Sequence, residues 1–289
     1  MRNISKNLFL TTAIILLITA ALSPIFAQGK KEVAEESVRI VSLSPNVTET
    51  IFALGKGELL VGRSDYCNYP EEALGLPAVG TLYAPSLEQL LALEPTMAIS
   101  SAFVDTQFLE AVEAAGILVV ELTTQESFSG TYELIRQIAE AVDAQKEAEL
   151  LLLEMQNTVK RIAIGVQNLR HPTVYMALDF GSFDSAATGD TFLSEMIQLA
   201  GGVNVADDGQ YWTYSKEQLV GHDPEIILLS PRWGDSDGEA TIVEFTTTAP
   251  YRDLRGVVKI FDADVISRQG PRSAYALELL AELIHGELE

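Results

Sequence analysis

One stretch of this sequence occurs twice, and the repeat favours a fold built from two related halves. The first copy spans residues 86–99 and the second spans 215–228, so every matched position is separated by 129 residues. Serine, glutamate, glutamine, leucine, an acid and proline recur in the same order before an apolar run. A fixed repeat over so long a distance indicates two lobes built on one plan.

Each copy has the pattern of a short helix that leads into a buried strand. Ser86 and Ser215 precede an apolar helical run with a glutamine three residues later, which is the capping-box pattern. Glu88 and Glu217 then fall in the first turn, where a carboxylate favours the positive end of the helix dipole. A proline nine residues after each serine ends the helix. The two glutamates either stabilise the helix starts alone or also present one exposed acid on each lobe.

The first 27 residues are predicted to be a secretory signal peptide. A basic start is followed by apolar residues 8–22 and by a cleavage site at 25–27. The apolar stretch is shorter than the ~20 residues that a membrane-spanning helix needs. The single cysteine, Cys67, lies far from the cleavage site, so no lipid-anchoring cysteine is found there. We therefore expect a soluble protein that is exported to the periplasm.

Composition narrows the range of partners. Loss of the signal peptide moves the net charge from −22 to −24, because that segment carries two positive charges and no negative ones. So acidic a protein repels nucleic acid and anionic lipid, whereas it suits docking to a basic surface. A lone cysteine cannot form an internal disulfide, so the fold depends on burial of apolar surface. The chain left after cleavage is ample for one large or two modest α/β lobes.

Apolar runs and helix signals alternate along the rest of the chain. Strands alternating with helices indicate parallel sheets that are covered on both faces. Asn46, with Glu49 three residues on, is predicted to cap a short helix that stops at Gly55. The predicted strands are 38–43, 59–62, 97–100, 117–120, 174–178, 226–229 and 264–267, and further helices are predicted at 108–115, 132–142, 191–200 and 274–288.

Residues 146–169 have the pattern of one long helix between the two copies. Their apolar positions recur at spacings of three and four residues, as one buried stripe requires. Such a helix spans ~36 Å and would join the halves as a stiff connection. The predicted fold is α/β, with two Rossmann-like lobes that contain parallel sheets and are joined by a single long rigid helix. The predicted segments are a signal peptide (1–27), a leader (28–37), an N-terminal lobe (38–145), the bridging helix (146–169) and a C-terminal lobe (170–289).

Aromatic residues concentrate where the predicted strands end. Ligands of open parallel sheets bind beyond the carboxyl ends of the strands. Any one ring is as well explained by a loop or a core, but together they form walls suited to a broad, flat, partly apolar ligand. Tyr66, Tyr69, Phe103, Phe180, Trp233 and Arg268 follow strands, and Tyr83, Tyr211, Trp212 and Tyr214 precede the two repeat helices.

Signals of catalysis are weak. The chain has no phosphate-binding P-loop and no G-x-G-x-x-G motif after a strand. Asp179 and Asp184 either form a carboxylate pair or cap turns. His171, His222 and His285 lie near helix or chain ends, where surface roles are favoured. We predict no catalytic residue, resident metal or cofactor, while an exported metal-binding protein or metalloenzyme that uses the two aspartates and a histidine stays open.

Four segments resemble the periplasmic substrate-binding proteins of iron-chelate and cobalamin importers. Each segment alone is a weak match, but the four occur in the order that the family has, and the resemblance covers nearly all of residues 38–288. The segment most similar to the cobalamin-binding branch is Tyr-Cys-Asn-Tyr-Pro at 66–70. The others are Arg-Ile-Val-Ser-Leu-Ser-Pro at 39–45 with Thr48 and Glu49, the stretch 188–204, and Arg-Gln-Gly-Pro-Arg at 268–272.

The resemblance implies a monomeric, non-enzymatic carrier that delivers a metal chelate to the membrane subunits of an ABC permease. By the same resemblance, Glu88 and Glu217 would meet arginines of the permease. The expected ligand is cobalamin or a related corrinoid, with haem or a ferric siderophore next. A different function, that of a sensor domain for a signalling receptor, is a further alternative. Tyr66, Phe180, Trp212 and Trp233 would line the cleft, joined by Tyr83 and Phe103 from their positions, and Arg232 and Arg268 would pair with acidic groups of the ligand.

Overall fold

A computed structural model describes residues 37–287 of the chain. The predicted signal peptide (1–27) and all but the last residue of the predicted leader (28–37) lie outside the described residues. Within the part that is described, no helix is long and apolar enough to cross a membrane.

The first half forms a four-stranded parallel sheet in the order β2-β1-β3-β4. Short 3-10 turns at Gly57–Leu59 and Glu71–Gly75 precede and follow the second strand. The strands are β1 (Ile40–Ser42), β2 (Leu60–Arg63), β3 (Met97–Ser100) and β4 (Leu118–Glu121). The helices are α1 (Pro45–Ala53), α2 (Leu87–Ala92), α3 (Thr106–Ala114) and α4 (Phe128–Ala141).

The second half forms a sheet in the order β6-β5-β8-β9, with β7 also paired to β5. Only β6, among the described strands, runs antiparallel to its neighbour. The strands are β5 (Thr173–Asp179), β6 (Ser185–Ala186), β7 (Val203–Asn204), β8 (Ile226–Leu229) and β9 (Val257–Ile260). The helices are α6 (Phe192–Leu199), α7 (Lys216–His222), α8 (Glu239–Thr247), α9 (Ala263–Ile266) and α10 (Ser273–His285), with a 3-10 turn at Tyr251–Asp253.

The two sheets follow the same plan. The parallel order β2-β1-β3-β4 in the first corresponds to β7-β5-β8-β9 in the second. In the first sheet Met97 pairs with Ile40 and Leu118, and in the second sheet its repeat partner Ile226 pairs with Val174 and Val257. The sequence repeat thus places β3 and β8 at equivalent central positions, and the predicted two-lobe α/β fold is confirmed.

The two repeat helices begin in the same way. The Ser86 hydroxyl accepts a hydrogen bond from the Gln89 amide at 3.3 Å, and Ser215 accepts one from the Gln218 amide at the same distance. No return bond from either glutamine side chain forms within the described part of the chain. The serine half of the predicted capping box is therefore present in both lobes.

The long helix α5 runs from Gln145 to Val166, three residues short of its predicted end. Leu152 and Met155 pack into the core of the first lobe, whereas Ile162 and Val166 pack into the core of the second. The last helix, α10, packs along it. One helix therefore contributes to both cores.

The strand predicted at 264–267 is wrong. These residues follow Asp262, whose carboxylate accepts hydrogen bonds from the amides of Asp264 and Val265 at 2.9 and 3.3 Å. An aspartate in this position starts a helix, which here is the short α9. The edge strand of the second sheet is instead β9, seven residues earlier in the chain.

The cap predicted at Asn46 is also wrong, because α1 already begins at Pro45, where a proline fits the first turn. The Asn46 carboxamide oxygen accepts from the Ser101 hydroxyl at 2.6 Å, and its nitrogen donates to the Gln269 carbonyl at 3.0 Å. Glu49, the expected capping partner, is instead buried in the middle of the helix. Both side chains therefore serve contacts to distant parts of the chain.

Candidate functional site

Five of the six aromatic residues predicted to bind ligand present exposed rings. Trp233 is fully exposed, and Phe103 and Tyr83 keep about four-fifths of their surface in solvent. Tyr66 and Trp212 are partly covered, and Tyr66 meets Tyr83 edge-on with ring centroids 6.5 Å apart. These rings follow strands or precede the two repeat helices, and covering such exposed apolar surface with a ligand is energetically favourable.

Tyr83 and Trp212 are equivalent residues of the two lobes. They are separated by the repeat distance of 129 residues, and each lies three residues before the serine that caps its helix. The glycines three residues earlier, Gly80 and Gly209, match as well. The repeat therefore extends upstream of the capping serines, a signal that is visible in the sequence once the offset is known.

The turn that carries Trp212 has a strained backbone, with positive φ at Tyr211 and Trp212. The Trp212 amide donates to the Thr188 hydroxyl at 3.1 Å, and the Tyr211 amide donates to the Asp190 carboxylate at 2.9 Å. The pKa of Asp190 is lowered mainly by a hydrogen bond from the Thr188 hydroxyl and, to a smaller extent, by the one from the Tyr211 amide. An ionised side chain thus holds the turn in place.

Phe180 is placed differently from the other candidates, because its ring is only 4% exposed. It packs edge-on against Phe245 and Tyr251 in the core of the second lobe. The guanidinium of Arg232 lies over the ring, 4.3 Å from its centroid. Both residues line a cavity of about 260 Å³ together with Trp233.

The charge of Arg232 is already compensated by the protein. Its guanidinium donates to the Asp179 carboxylate at 3.0 Å and to the Phe180 carbonyl at 2.7 Å, and it meets Glu244 at 2.7 Å. Two carboxylates therefore face one cation at this wall of the site. An incoming ligand carboxylate would meet a local excess of negative charge.

The first lobe contributes a polar cavity of about 400 Å³ at the carboxyl ends of β3 and β4. No lysine or arginine is found among the described residues that line it. Hydroxyl and amide groups dominate the wall, two carboxylates add negative charge, and Phe103 supplies an exposed ring. The polar lining consists of Asn46, Ser100, Ser101, Thr106, Thr123, Thr124 and Gln269, with the acids Glu121 and Glu126.

Arg268 is also engaged by the protein, and only 13% of its side chain is exposed. It donates to Glu49 at 2.9 Å, to Asn68 at 2.8 Å and to Asp264 at 2.7 Å. Arg272 donates to both oxygens of the same Glu49, at 2.7 and 2.8 Å. These contacts join the first lobe to the segment between α9 and α10.

Two helix starts cap each other between the lobes. The amide of Phe128, at the start of α4, donates to Glu195 at 2.7 Å. The amide of Phe192, at the start of α6, donates to Glu126 at 3.2 Å. The two phenylalanine rings meet edge-on, 5.3 Å apart. Each lobe thus supplies the acid that stabilises a helix of the other.

Glu88 and Glu217 are exposed at matching places on α2 and α7. The Glu217 carboxylate accepts from the Ser215 hydroxyl at 2.9 Å, and its own backbone amide, followed by this hydroxyl, lowers the pKa of Glu217. The adjacent Lys216 turns inward, where it donates to the Gly181 carbonyl at 2.7 Å and pairs with Asp184. Within residues 37–287, neither glutamate forms a salt bridge with a lysine or an arginine, so each lobe presents an exposed acid.

The two aspartates of the open alternative take part in other contacts. Asp179 pairs with Arg232, and Asp184 accepts from the Tyr251 hydroxyl and the Gly181 amide. Across residues 37–287, no group of three or more histidine, cysteine, aspartate or glutamate side chains is arranged to hold a metal ion.

Residues 234–238 read Gly-Asp-Ser-Asp-Gly, which has the spacing of the G-x-S-x-G nucleophile elbow. An elbow places its serine in the sharp turn directly after a strand. Ser236 instead lies exposed, seven residues beyond the end of β8. The spacing therefore occurs here without the geometry that gives it catalytic meaning.

Comparisons with known proteins agree with the two-lobe fold and identify its family. A family model described as periplasmic binding protein matches residues 40–249. The substrate-binding lipoprotein YvrC of Bacillus subtilis (strain 168), named for an ABC transporter, is 30% identical over 266 residues, covering 88% of this chain and 82% of the relative. A vitamin B12-binding protein of Photorhabdus laumondii is 30% identical over 255 residues, covering 86% and 88%. The periplasmic heme-binding protein RhuT from Roseiflexus sp. RS-1 is 28% identical with a TM-score of 0.74, covering 86% and 98%.

Proposed function

The chain belongs to the periplasmic binding protein family, and we propose that it carries a metal chelate, most suitably a corrinoid such as cobalamin, to an ABC importer. The names of the similar proteins support this class of ligand, since one is a vitamin B12-binding protein and another a heme-binding protein. We further propose a soluble periplasmic form, although the relative YvrC is named a lipoprotein.

The observation that carries the choice of ligand is the charge balance of the site. Arg232 faces two carboxylates, and Arg268 is largely buried against Glu49 and Asp264. Neither arginine is left free to neutralise an acidic ligand. Burying a carboxylate without a partner cation is costly, so the site disfavours haem propionates and anionic ferric siderophores.

A corrinoid suits the same walls better. Its ring edge carries neutral carboxamides, which donate and accept hydrogen bonds. The polar cavity of the first lobe offers hydroxyl, amide and carboxylate oxygens that match such groups. Tyr83 and Trp212 supply one exposed ring from each lobe for the apolar surface of the ligand.

Tryptophan fluorescence tests the proposal directly, because the chain has two tryptophans and both belong to the candidate site. The mature protein is titrated with cyanocobalamin, haemin and a ferric siderophore. We expect cyanocobalamin to quench the fluorescence at micromolar concentration and the other two to bind more weakly. Trp212→Phe and Trp233→Phe then leave one reporter each and show which of these two positions on the second lobe responds to the ligand.

Two results would overturn parts of this proposal. Tighter binding of haemin than of cyanocobalamin would refute the argument from charge balance. No response to any of the three ligands would reject the metal-chelate class altogether. A visible absorption spectrum of protein from its native source provides an independent check, since a retained corrinoid or haem absorbs there.

We also propose that Glu88 and Glu217 dock the loaded protein onto the membrane subunits of the permease. Exposed charges of this kind steer association and fix orientation more than they add affinity. The double variant Glu88→Ala with Glu217→Ala should lose permease binding and keep ligand affinity. Glu113→Ala with Glu154→Ala removes the same charge from exposed positions elsewhere and is the matched control. Equal permease binding by the two double variants would refute the docking role.

A further inference from the structure

The loop at residues 64–70, called here the Tyr66 loop, follows β2 and carries Tyr66 at the candidate site. Its beginning is held by the first lobe. The Ser64 amide donates to the Ser42 carbonyl at 2.9 Å, and the Asp65 amide donates to the Gly80 carbonyl at 2.9 Å. Cys67, inside the loop, is buried, and its amide donates to the Ser64 carbonyl at 3.1 Å. Side chains of the second half of the chain contact the loop at Tyr66, Asn68 and Tyr69.

Asn68 is the centre of these contacts. Its side-chain nitrogen donates to the Asp264 carboxylate at 2.8 Å, and its oxygen accepts from Arg268 at 2.8 Å. Arg268 also donates to the Tyr66 carbonyl at 3.4 Å. In addition, the guanidinium of Arg272 lies over the Tyr69 ring, 4.1 Å from its centroid. The loop is therefore bound by residues about 200 positions away in the chain.

The Arg268 side chain is also held in place by a residue outside the Tyr66 loop. Glu49, only 2% exposed, accepts hydrogen bonds from both Arg268 and Arg272. Asn68, by contrast, lies at the surface and fills no core. Removing its amide would take away the hydrogen bonds that join the loop to Asp264 and Arg268 through Asn68, while leaving the buried ion cluster in place.

We infer that Asn68 and Arg268 are positioning residues: Arg268, on the opposite lobe, holds the Tyr66 loop through Asn68 and so keeps Tyr66 at the candidate site. Sequence reasoning assigned Arg268 to the ligand, whereas its contacts lead to the backbone and side chains of the Tyr66 loop. The consequence for ligand affinity rests on the proposed function. The consequence for the loop itself does not.

Hydrogen exchange tests the positioning without any ligand. The informative amide is that of Cys67, which is buried and donates to the Ser64 carbonyl. In Asn68→Ala it should exchange about tenfold faster than in the unchanged protein. Asn157→Ala removes an exposed asparagine from α5 and is the matched control, with no change expected in this loop. Unchanged exchange of the Cys67 amide in Asn68→Ala would overturn the inference.

A double-mutant cycle with cyanocobalamin tests the link to Tyr66. Asn68→Ala alone should weaken binding about tenfold, which corresponds to about 1.4 kcal/mol. In a Tyr66→Ala background the same substitution should have little further effect, because the ring that it positions is gone. Two effects that simply multiply would refute action through Tyr66.

The two experiments separate this inference from the proposed function. Faster exchange in Asn68→Ala, with no cyanocobalamin binding by the unchanged protein, would keep the positioning role and reject the corrinoid. Arg268→Lys adds a further check, since a lysine keeps the charge beside Glu49 but has no fork to reach Asn68 and Tyr66 together. It should reproduce the faster loop exchange.

Discussion

Glu49→Ala should be among the most destabilising single substitutions in the first lobe. Glu49 accepts three hydrogen bonds from two guanidinium groups, at 2.7–2.9 Å. Its removal leaves Arg268 and Arg272 with side chains only 13% and 17% exposed and without this partner. The loss of folding stability exceeds that from breaking a surface ion pair, because water cannot readily replace the carboxylate beside these arginines.

The size of the effect follows from this burial. Removing one partner of a buried ion pair typically destabilises a protein by about 3–5 kcal/mol. Because the two arginines keep a small exposure to water, we take the lower end of this range, about 3 kcal/mol. For a protein of this size, 1 kcal/mol changes the melting temperature by roughly 2–4 °C. We therefore expect Glu49→Ala to lower the melting temperature by about 6–12 °C.

Thermal and urea unfolding of purified variants measure this. Glu149→Ala breaks the exposed ion pair with Arg136 and should leave the melting temperature almost unchanged. Replacing the cluster together, as Glu49→Leu with Arg268→Met and Arg272→Met, should destabilise less than Glu49→Ala alone, since no buried charge is left unpaired. A Glu49→Ala variant as stable as Glu149→Ala would show that water reaches the arginines and that the reasoning is wrong.

Three further predictions concern caps and pH. Glu195→Ala should cost about 1 kcal/mol by removing the acceptor for the Phe128 amide, whereas Glu195→Gln should recover most of this; urea unfolding distinguishes them. Ser215→Ala should cost about 1 kcal/mol in the same assay, and a value near zero would contradict the cap. Hydrogen bonds, chiefly from threonine hydroxyls, lower the pKa of Asp190 and Asp235. The ionised aspartates therefore stabilise the folded protein above the ordinary pKa near 4. This contribution is lost as the pH falls through the lowered pKa values. Stability should therefore change little from pH 7 to 5 from these groups and fall below about pH 4, and Asp235→Asn should reduce the fall.

The repeat made much of the fold predictable. It fixed where two equivalent helices and two central strands would lie, and β3 and β8 begin and end at the predicted residues. Helix caps and apolar spacing carry this information locally, within a dozen residues. The exposed glutamates Glu88 and Glu217 could be found for the same reason, because each lies in the first turn of its helix.

Several side chains are placed by contacts between distant residues, which a local sequence pattern does not show. Glu49 and Arg268 are 219 positions apart, so no local pattern shows that they pair. Phe180 follows a strand as expected, but its ring turns into the second-lobe core against Phe245 and Tyr251. At 264–267, branched apolar residues suggested a strand, while the aspartate just before them imposed a helix start.

The sharing of residues between the two cores affects the order in which the chain can fold. Ala274, from the last helix, belongs to the core of the first lobe, and Phe128 and Ile162 belong to the core of the second. A chain that crosses a membrane amino end first cannot complete its first core until its final helix has emerged. For a chain exported in this way, completion of the first lobe is coupled to the end of export, and the unfinished lobe has to stay soluble until then.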